Sequence, residues 1–513
     1  MTRVSTAPEL LAHLPIDRAL ATPLHQQVYD GFRRAILAGR LRSGQRVPST
    51  RLLATELGMS RLPVLTAYEQ LLHEGYFESR TGSGTFVCAA PPESRLHPKV
   101  RPGRTRSSTA RRTRSAKERV PLVRDEGGVR PFRTSLPALD EFPQLRWARL
   151  LSRHAQRLTP TDLAYGDPAG IGSLRAAIAS HLRTARAVNC EAEHVLITTG
   201  SQSALRLSAA VVLARGDCVA MEDPGYPGAH AAFAAAGVEI VPITVDDAGI
   251  DVAALAAMRQ RIRAVYVTPS HQYPLGMSMS TPRRRALLDW AARHDAWLLE
   301  DDYDSEYRYV SRPLGALQGM DTRDRVIYIG TFSKVLYPSL RVGYVVVPAS
   351  VRERFLDARE ALDICSPTLY QLALADFLND GSFARHLRRM RTIYHKRRDA
   401  LLDGLARHCK GLLTVANADA GLHVTTFLTD RGDDQSLIRE MRRHGLTATP
   451  LSSCYLGRAR RQGLLLGFGG FDERSLIDAT RTLGELIRAT RRQSGKSSQS
   501  TDTMSHRSST RQS

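Results

Sequence analysis

The sequence predicts a chain of two unlike parts, a small helical module closed by a β-hairpin and a larger α/β region. Three observations support this prediction. A length of 513 residues exceeds what one hydrophobic core usually holds. Apolar residues recur at helical spacing over residues 22–75. From about 130 to 490, short apolar strands alternate with helical segments, a pattern typical of a mostly parallel sheet with helices on both faces.

Composition restricts the class of protein. No apolar run reaches the roughly 20 residues that a membrane helix needs, and the N-terminus lacks the basic and apolar regions of a secretion signal. We therefore expect a cytoplasmic protein without membrane contact. Six scattered cysteines without C-x-x-C spacing favour reduced thiols, and we expect neither disulfides nor a metal site.

The net charge of +21 is concentrated in short segments. Residues 89–120 carry ten Lys/Arg against two Asp/Glu, and residues 491–513 carry five against one. Such segments attract polyanions but cannot form a core. We expect a basic flexible linker over residues 89–130 and a disordered tail over residues 491–513. The linker charge fits either a solvated spacer or a non-specific DNA contact.

The N-terminal module shows its elements in order. A first helix spans residues 22–39, where apolar residues recur every four positions. A second helix begins after Ser49, a good N-cap, and ends at Gly58. A third runs from Ser60 to Gly75. Two short strands then flank a glycine-rich turn, which predicts a β-hairpin.

Residues 24–87 resemble the GntR-type winged helix-turn-helix, which implies a DNA-binding domain over residues 15–88 and a double-stranded DNA operator. Arg61, in the first turn of the recognition helix, can enter the major groove and pair with guanine. Pro63 stands where the family usually has a small polar residue, so one hydroxyl contact to DNA is absent. The resemblance implies these DNA-binding residues: Arg51, Ser60, Arg61, Pro63, Arg80, Gly82, Ser83 and Gly84.

Lys334 and Asp301 form the most informative pair in the larger region. Lys334 follows a Gly-Thr-Phe-Ser turn, and Asp301 ends an apolar strand 33 residues upstream. A lysine in such a turn can form an imine with an aldehyde cofactor. An aspartate in the same sheet can hold a pyridine nitrogen in its protonated form. Pyridoxal 5′-phosphate (PLP) chemistry requires both contacts.

Five ordered motifs resemble those of the class I, fold-type I aminotransferases over residues 131–490: TTGSQSAL, EDPGYPG, TPSHQYPLG, WLLEDDYDSEYRY and GTFSKVLYPSLRVGY. The fold class expected is therefore α/β, with a smaller C-terminal α+β subdomain. His271 and Gln272 occupy the place of the family's asparagine loop, and which of them contacts the phenolic oxygen of PLP stays open. The resemblance implies these cofactor-binding residues: Gly200, Ser201, Gln202, Tyr226, His271, Gln272, Asp301, Tyr303, Thr331, Ser333, Lys334 and Arg341.

One departure bears on activity. Aminotransferases grip the substrate α-carboxylate with an arginine near the C-terminus, but the corresponding strand here has leucine, near Leu465. Arg458, Arg460 and Arg461 lie in the preceding turn and are candidates to replace it. Without a replacement, an amino acid loses a contact of about 1.5–3 kcal/mol.

A GntR-type winged helix joined by a linker to an aminotransferase-like domain is the layout of the MocR subgroup of bacterial regulators, which residues 15–490 resemble. The resemblance implies a homodimeric, PLP-dependent transcriptional regulator with its PLP site at the dimer interface. Its signal is PLP itself or a small amine or amino acid that reacts with PLP. The alternative is a catalytically active aminotransferase with an accessory DNA-binding module.

Overall fold

The described residues fall into two compact units, one within residues 14–89 and one within residues 128–508. Most of the predicted linker lies outside the described part of the chain. Among the described helices, none has the length and apolar character needed to cross a membrane. A computed structural model describes the protein, with side chains as far as Arg492, over residues 14–80, 82–89, 128–309, 315–430 and 432–508.

The N-terminal unit contains the predicted three helices and hairpin. Buried aromatic rings of Phe32, Tyr68 and Phe77 meet edge to face, with centroids 5.2–5.5 Å apart. Such T-shaped pairs stabilise a core beyond simple burial, and this one joins the first helix, the third helix and the hairpin. The elements are α1 Leu24–Leu37, α2 Thr50–Glu56, α3 Arg61–His73, β1 Phe77–Arg80 and β2 Gly84–Val87.

The N-caps of α2 and α3 differ. The Ser49 hydroxyl accepts a hydrogen bond from Leu52 N at 3.3 Å, which confirms the predicted cap. Ser60 occupies the N-cap position of α3 but makes no side-chain capping bond. The first N–H groups of α3 are therefore not satisfied by this serine, which leaves them available to an acceptor outside the helix.

The C-terminal unit is built on an eight-stranded sheet in the spatial order β3-β10-β9-β8-β7-β4-β5-β6. Neighbours from β9 to β5 are parallel, whereas β10 is antiparallel to both its neighbours and β6 turns back on β5. The mostly parallel sheet is confirmed. Its strands are β3 Val195–Thr198, β4 Cys218–Asp223, β5 Glu239–Asp246, β6 Gly249–Ile250, β7 Ile262–Val267, β8 Trp297–Asp302, β9 Val326–Thr331 and β10 Gly343–Val346.

Helices cover both faces of this sheet. Met221 shares a buried cluster with Leu205 and Phe233 from helices on one face, and Val265 shares another with Leu287 on the opposite face. Continuous apolar strands are expected when both faces are buried. The helices are α4 Gln144–Ala155, α5 Pro160–Leu163, α6 Gly172–Arg186, α7 Ser201–Val212, α8 Pro227–Ala236, α9 Val252–Ala256, α10 Thr281–His294, α11 Arg352–Asp363 and α12 Thr368–Asn379.

A smaller antiparallel sheet, in the order β11-β12-β14-β13, forms the predicted α+β subdomain. Thr425 of β12 pairs with Leu465 of β14, which also pairs with Thr449 of β13. Paired residues share a face of the sheet, so these three side chains point the same way. The elements are α13 Ser382–His408, β11 Leu413–Val415, β12 His423–Leu428, α14 Asp434–Arg443, β13 Thr449–Pro450 and β14 Gly463–Gly467.

The C-terminal tail differs from its prediction of disorder. Helix α15 runs from Glu473–Ser508, and residues 509–513 lie outside the described part of the chain. Its first half packs on α13, where Thr480 lies against Gly404. Extending an existing helix needs no new nucleus, so a helix anchored by packing continues into residues of weak propensity.

Candidate cofactor site and nucleic-acid interface

Lys334 lies three residues beyond β9, at the edge of the large sheet where the parallel strands end. Its Nζ donates to the carbonyl oxygen of Ser135 at 3.3 Å, and Ser135 itself has φ +70°. Burial lowers the pKa of Lys334 to about 8, helped by Arg341 and opposed by Asp304 and Asp301. A substantial fraction of this amine is therefore neutral, and so nucleophilic, near pH 8.

Asp301 is the second-to-last residue of β8, one strand away. It is 4% exposed, and its Oδ2 accepts from the Tyr266 hydroxyl at 2.7 Å, but Oδ1 has no hydrogen-bond partner among the residues that the structure describes. Burial raises the pKa of Asp301 to about 7. An unpartnered buried carboxylate oxygen is costly and points to a missing donor. A protonated ring nitrogen would supply that donor.

His271 and Gln272, which the sequence could not separate, have different surroundings. His271 Nδ1 lies 2.9 Å from the Tyr303 hydroxyl and 2.9 Å from Asp304 Oδ1. Gln272 is committed to its own loop: Nε2 donates to the carbonyl oxygens of Pro224 at 2.9 Å and of Tyr273 at 2.7 Å. The structure therefore brings His271, not the Gln272 amide, to Tyr303.

Arg341 and the start of α7 form a cradle for an anion. Arg341 Nη2 donates to the Thr199 carbonyl at 2.8 Å. Gly200, at the N-cap of α7, has φ +81°, and a Cβ there would lie 2.8 Å from Arg341 Nη2. Backbone N–H groups from Ser201 onward and the positive end of the helix dipole face the same region.

Residues at the end of β9 complete this cradle. Gly343 pairs with Thr331 on one side and with Thr198 on the other, which brings the β9 turn beside α7. The Thr331 hydroxyl accepts from Ser333 N at 3.2 Å, and both side chains are largely buried. The absence of a Gly343 side chain permits the approach, since a Cβ there would lie 2.8 Å from Gly200 Cα.

Tyr226 stands at the start of α8. Its hydroxyl accepts from Gln202 Nε2 at 3.2 Å, and its ring meets Tyr273 edge-on at 5.4 Å. Burial raises the pKa of Tyr226 to about 12, with Asp301 adding to the rise and Arg341 opposing it. The Gln202 hydrogen bond holds this ring beside the start of α7. PLP would need an anion-binding group, a partner for its ring nitrogen and an amine, and the Arg341 cradle, Asp301 and Lys334 are groups of these three kinds.

The N-terminal unit places Arg61 and Arg51 on its surface. Arg61, exposed in the first turn of α3, donates through Nε to Thr50 Oγ1 at 3.1 Å. Arg51 is exposed in the first turn of α2, and Pro63 lies in the first turn of α3. The predicted cations therefore flank the uncapped start of α3.

The hairpin tip contains Gly82 and Gly84, with φ +74° and +105°, and Ser83 N donates to the Arg80 carbonyl at 2.9 Å. Arg80 is held within the hairpin: its guanidinium lies 4.5 Å from the Phe86 ring centroid and pairs with Glu78. Arg80 is nevertheless exposed, and a second exposed cation lies beside the tip. Among the described residues, Arg46 packs on Gly84 and forms a β-bridge with Phe86.

Two family models match the chain. That of the bacterial regulatory proteins of the gntR family matches residues 24–87, and that of aminotransferase class I and II matches residues 139–464. The chain is also 40% identical to the "Probable rhizopine catabolism regulatory protein MocR" of Rhizobium meliloti, over 92% of this chain and 95% of that protein. The chain belongs to the MocR subgroup of the GntR family. It is a DNA-binding transcriptional regulator whose aminotransferase-like domain binds PLP.

Further similarities agree with this MocR-type organisation. The pyridoxine biosynthesis regulator PdxR of Corynebacterium glutamicum is 34% identical over 91% of this chain and 97% of its own length. The α-aminoadipate aminotransferase LysN of Thermus thermophilus, solved with a phosphopyridoxyl-leucine adduct, has a TM-score of 0.65 and 29% identity. That match covers 70% of this chain and 92% of LysN.

Sequence reasoning missed several residues of this MocR-type site. Tyr266 and Asp304 lie on other segments from their partners, so only strand register reveals them. Ser135 is about 200 positions from Lys334. For Arg46, the only sequence signal of a place beside the hairpin was that it is a basic residue earlier in the same module.

Leu465 is fully buried in a cluster with Tyr273, Phe427, Leu451 and Cys454, against which Tyr226 and Tyr303 pack. The candidate replacements for an arginine here are peripheral. Arg458 and Arg460 are exposed, and Arg461 lies over the Phe427 ring, 3.1 Å from its centroid.

Proposed function

We propose that Lys334 is the residue that links covalently to PLP and that Asp301 holds the ring nitrogen protonated. PLP supplies an aldehyde and an electron-withdrawing ring. The observation that carries the proposal is the unpartnered Asp301 Oδ1 in the same site as an amine whose pKa is lowered to about 8. The Asp301 carboxylate would accept a hydrogen bond from the protonated ring nitrogen, and the neutral Lys334 amine would be the nucleophile for the aldehyde.

The remaining roles follow from the contacts already described. Arg341, Thr331, Ser333 and the N–H groups from Gly200 to Gln202 would bind the phosphate, where charge-assisted hydrogen bonds and the helix dipole favour an anion. Tyr303, oriented by His271, would donate to the phenolic oxygen. The Tyr226 ring, oriented by Gln202, would cover one face of the cofactor.

The signal that we propose is PLP itself or a PLP-reactive amine. Occupancy of the Lys334 site would shift the equilibrium between conformations of the C-terminal unit that differ in operator affinity. Arg61, Arg51 and the N-terminus of α3 would contact DNA, with Arg46 and the Gly82–Gly84 tip at the wing. Because its target is DNA, we place the protein in the cytoplasm.

A homodimer is the oligomer that this surface supports. Five large apolar side chains are exposed on neighbouring segments: Leu163, Tyr165, Leu362, Ile364 and Tyr370. Tyr165 is 84% exposed, and Gly166 next to it contacts Thr368. Exposed apolar patches of this kind mark interaction sites.

This patch borders the cofactor site, because Asp363 between Leu362 and Ile364 accepts from the Thr199 hydroxyl at 3.2 Å. A second copy seated here would exclude water from the Arg341 cradle. A dimer would also present two winged helices, whose spacing must match two operator half-sites.

Footprinting tests the regulatory proposal. The protein is compared without PLP, with PLP, and with PLP plus a primary amine, beside Lys334→Ala in each condition. A footprint that changes with PLP or amine in the wild type and not in Lys334→Ala supports sensing. An identical footprint in all three conditions contradicts it. Repeated conversion of an amino acid to a keto acid would favour the aminotransferase alternative.

The dimer is tested separately by light scattering. Tyr165→Asp should convert a dimer to a monomer, since it places a charge in a desolvated interface. Val415→Asp is the matched control, because Val415 is an exposed apolar residue on the small sheet. Equal masses for Tyr165→Asp and the wild type would contradict the proposed interface.

A further inference from the structure

We infer that the effector is a primary amine without a carboxylate, held against an uncharged wall formed by the small sheet. This inference rests on the proposed function, in which an amine reacts at the Lys334 site. It adds the chemical class of that amine, and it follows from the face that the small sheet turns toward the cofactor residues.

Two contacts place this face beside Lys334. Ser135, which accepts from Lys334, follows Thr134, and Thr134 shares a 2.9 Å hydrogen bond with Thr449. Thr449 pairs with Leu465. The Lys334 amine is therefore connected to Leu465 through Ser135, Thr134 and Thr449, by two hydrogen bonds and one strand pairing.

His423 gives a second, independent placement. It lies on the same face as Leu465, and its ring centroid is 5.3 Å from that of His271. Burial lowers the pKa of His423 to about 4, with His271 and Lys334 adding to the fall. His423 is therefore neutral at physiological pH, and its contact with His271 places it beside the cofactor residues.

The strands of this face supply no group that could neutralise a carboxylate. The four strands β11 to β14 contain no lysine or arginine. Its polar side chains are already engaged, since Thr425 donates to the Pro274 carbonyl and His423 Nε2 lies 3.3 Å from the same oxygen. What remains of this face beside His423 is Leu465, with Phe427 covered by Arg461.

The nearby cations serve other contacts. Arg341 donates to Thr199 in the anion cradle, and Arg133 Nη1 donates to the Gly128 carbonyl at 2.6 Å. Arg461 is exposed over the Phe427 ring. A carboxylate brought against Leu465 would lose its hydration without gaining a partner, which is strongly unfavourable. An apolar or aromatic amine without a carboxylate has no such group to desolvate there, so its binding does not carry this cost.

The reaction is an exchange and needs no oxidant or reductant. The neutral amine of the ligand would replace Lys334 Nζ as the nitrogen bonded to the cofactor carbon. Both hydrogens of the incoming nitrogen would pass to Lys334 Nζ, which would leave as a free amine. The lowered pKa of Lys334 keeps it able to return.

Matched pairs of ligands test the inference on the PLP-loaded full chain. The first pair is 2-phenylethylamine and L-phenylalanine, and the second is isoamylamine and L-leucine; each pair differs by the carboxylate alone. Cofactor absorbance and melting temperature are followed during titration. We expect each amine to act at concentrations about ten- to a hundredfold lower than its amino acid.

Two variants sharpen the test. Leu465→Arg supplies the absent cation and should shift the preference toward the amino acid, whereas the volume-conserving Leu465→Met should keep the wild-type preference. If Leu465→Arg fails to fold, the wild type and Leu465→Met still decide the question.

Equal or tighter binding of the amino acids by the wild type would overturn the inference, and so would no response to any of the four compounds. Neither result touches the proposed regulator, because PLP binding and PLP-dependent footprints are measured without amine. A failure of those two measurements would instead overturn the proposed function.

Discussion

Replacing Asp301 by asparagine should have opposite effects on the PLP-free and PLP-bound protein. In the PLP-free protein, burial raises the pKa of this carboxyl from 3.8 to about 7. A shift of about 3 units corresponds to about 4 kcal/mol of unfavourable ionisation in the folded state at pH 8, as an upper limit. Asparagine does not ionise, so Asp301→Asn removes this cost.

The direction of the Asp301 pKa shift determines the pH range over which the stability of the PLP-free protein changes. The folded-state pKa is raised, so the folded protein holds its proton more tightly than the unfolded chain. The cost is absent below about pH 4, grows between pH 4 and 7, and is complete above pH 7. We therefore expect PLP-free Asp301→Asn to melt several degrees above the PLP-free wild type at pH 8, with the difference shrinking toward pH 5.

With PLP the order reverses. The wild-type carboxylate gains a charge-assisted hydrogen bond to the ring nitrogen, about 1.5–3 kcal/mol, which asparagine does not supply. Affinity for PLP should fall about ten- to a hundredfold in the variant.

Melting curves from pH 5 to 8 and PLP titrations measure both effects, and Asp403→Asn, at an exposed carboxylate, is the control. A PLP-free variant no more stable than the wild type at pH 8, with unchanged PLP affinity, would refute the reasoning.

Four further predictions concern single residues. Lys334→Ala should give no chromophore that borohydride can trap, and PLP incorporation by the wild type should accelerate with pH to a plateau above about pH 8, because burial lowers the pKa of Lys334 to about 8; stopped-flow absorbance that still rises toward pH 10 would contradict this. Gly200→Ala strains a residue at φ +81° and pushes on Arg341, so titrations should show weaker binding of PLP but not of pyridoxal, which lacks the phosphate. Arg61→Ala should cost about 1–3 kcal/mol on the operator and relax discrimination at one base pair, measured with a set of operator variants. Arg46→Ala should weaken all DNA sequences alike and reduce the slope of log affinity against log salt by about 1, and an unchanged slope would argue against a phosphate contact.

The sequence allowed site residues to be placed where those residues lie at the ends of strands. Asp301 and Lys334 each follow a recognisable apolar strand, and parallel strands deliver their last residues to one edge, so their proximity could be predicted. The positions of Arg341 and Gly200 could be predicted for a similar reason. Arg341 comes just before strand β10, and Gly200 comes just before helix α7. The roles assigned to these side chains stay predictions until the experiments above are done.

Other features depend on three-dimensional contacts that no local pattern encodes. The Tyr266 partner of Asp301 depends on the register of β7 on β8. His271 and Gln272 make different contacts because the loop that contains them directs their side chains to different neighbours. The extent of α15 depends on packing against α13, which overrides the weak propensity of the tail.

The contact between Lys334 and Ser135 has a consequence for how a chemical event could leave the cofactor site. Ser135 lies five residues beyond the end of the predicted linker, residues 89–130. Ser135 has a positive φ that serine seldom adopts without support from its surroundings. When Lys334 changes its bonding, its hydrogen bond to the Ser135 carbonyl also changes, and that bond helps to hold this backbone conformation. A change in the bonding of Lys334 is therefore expected to reach the backbone at Ser135 directly, without repacking of the interior.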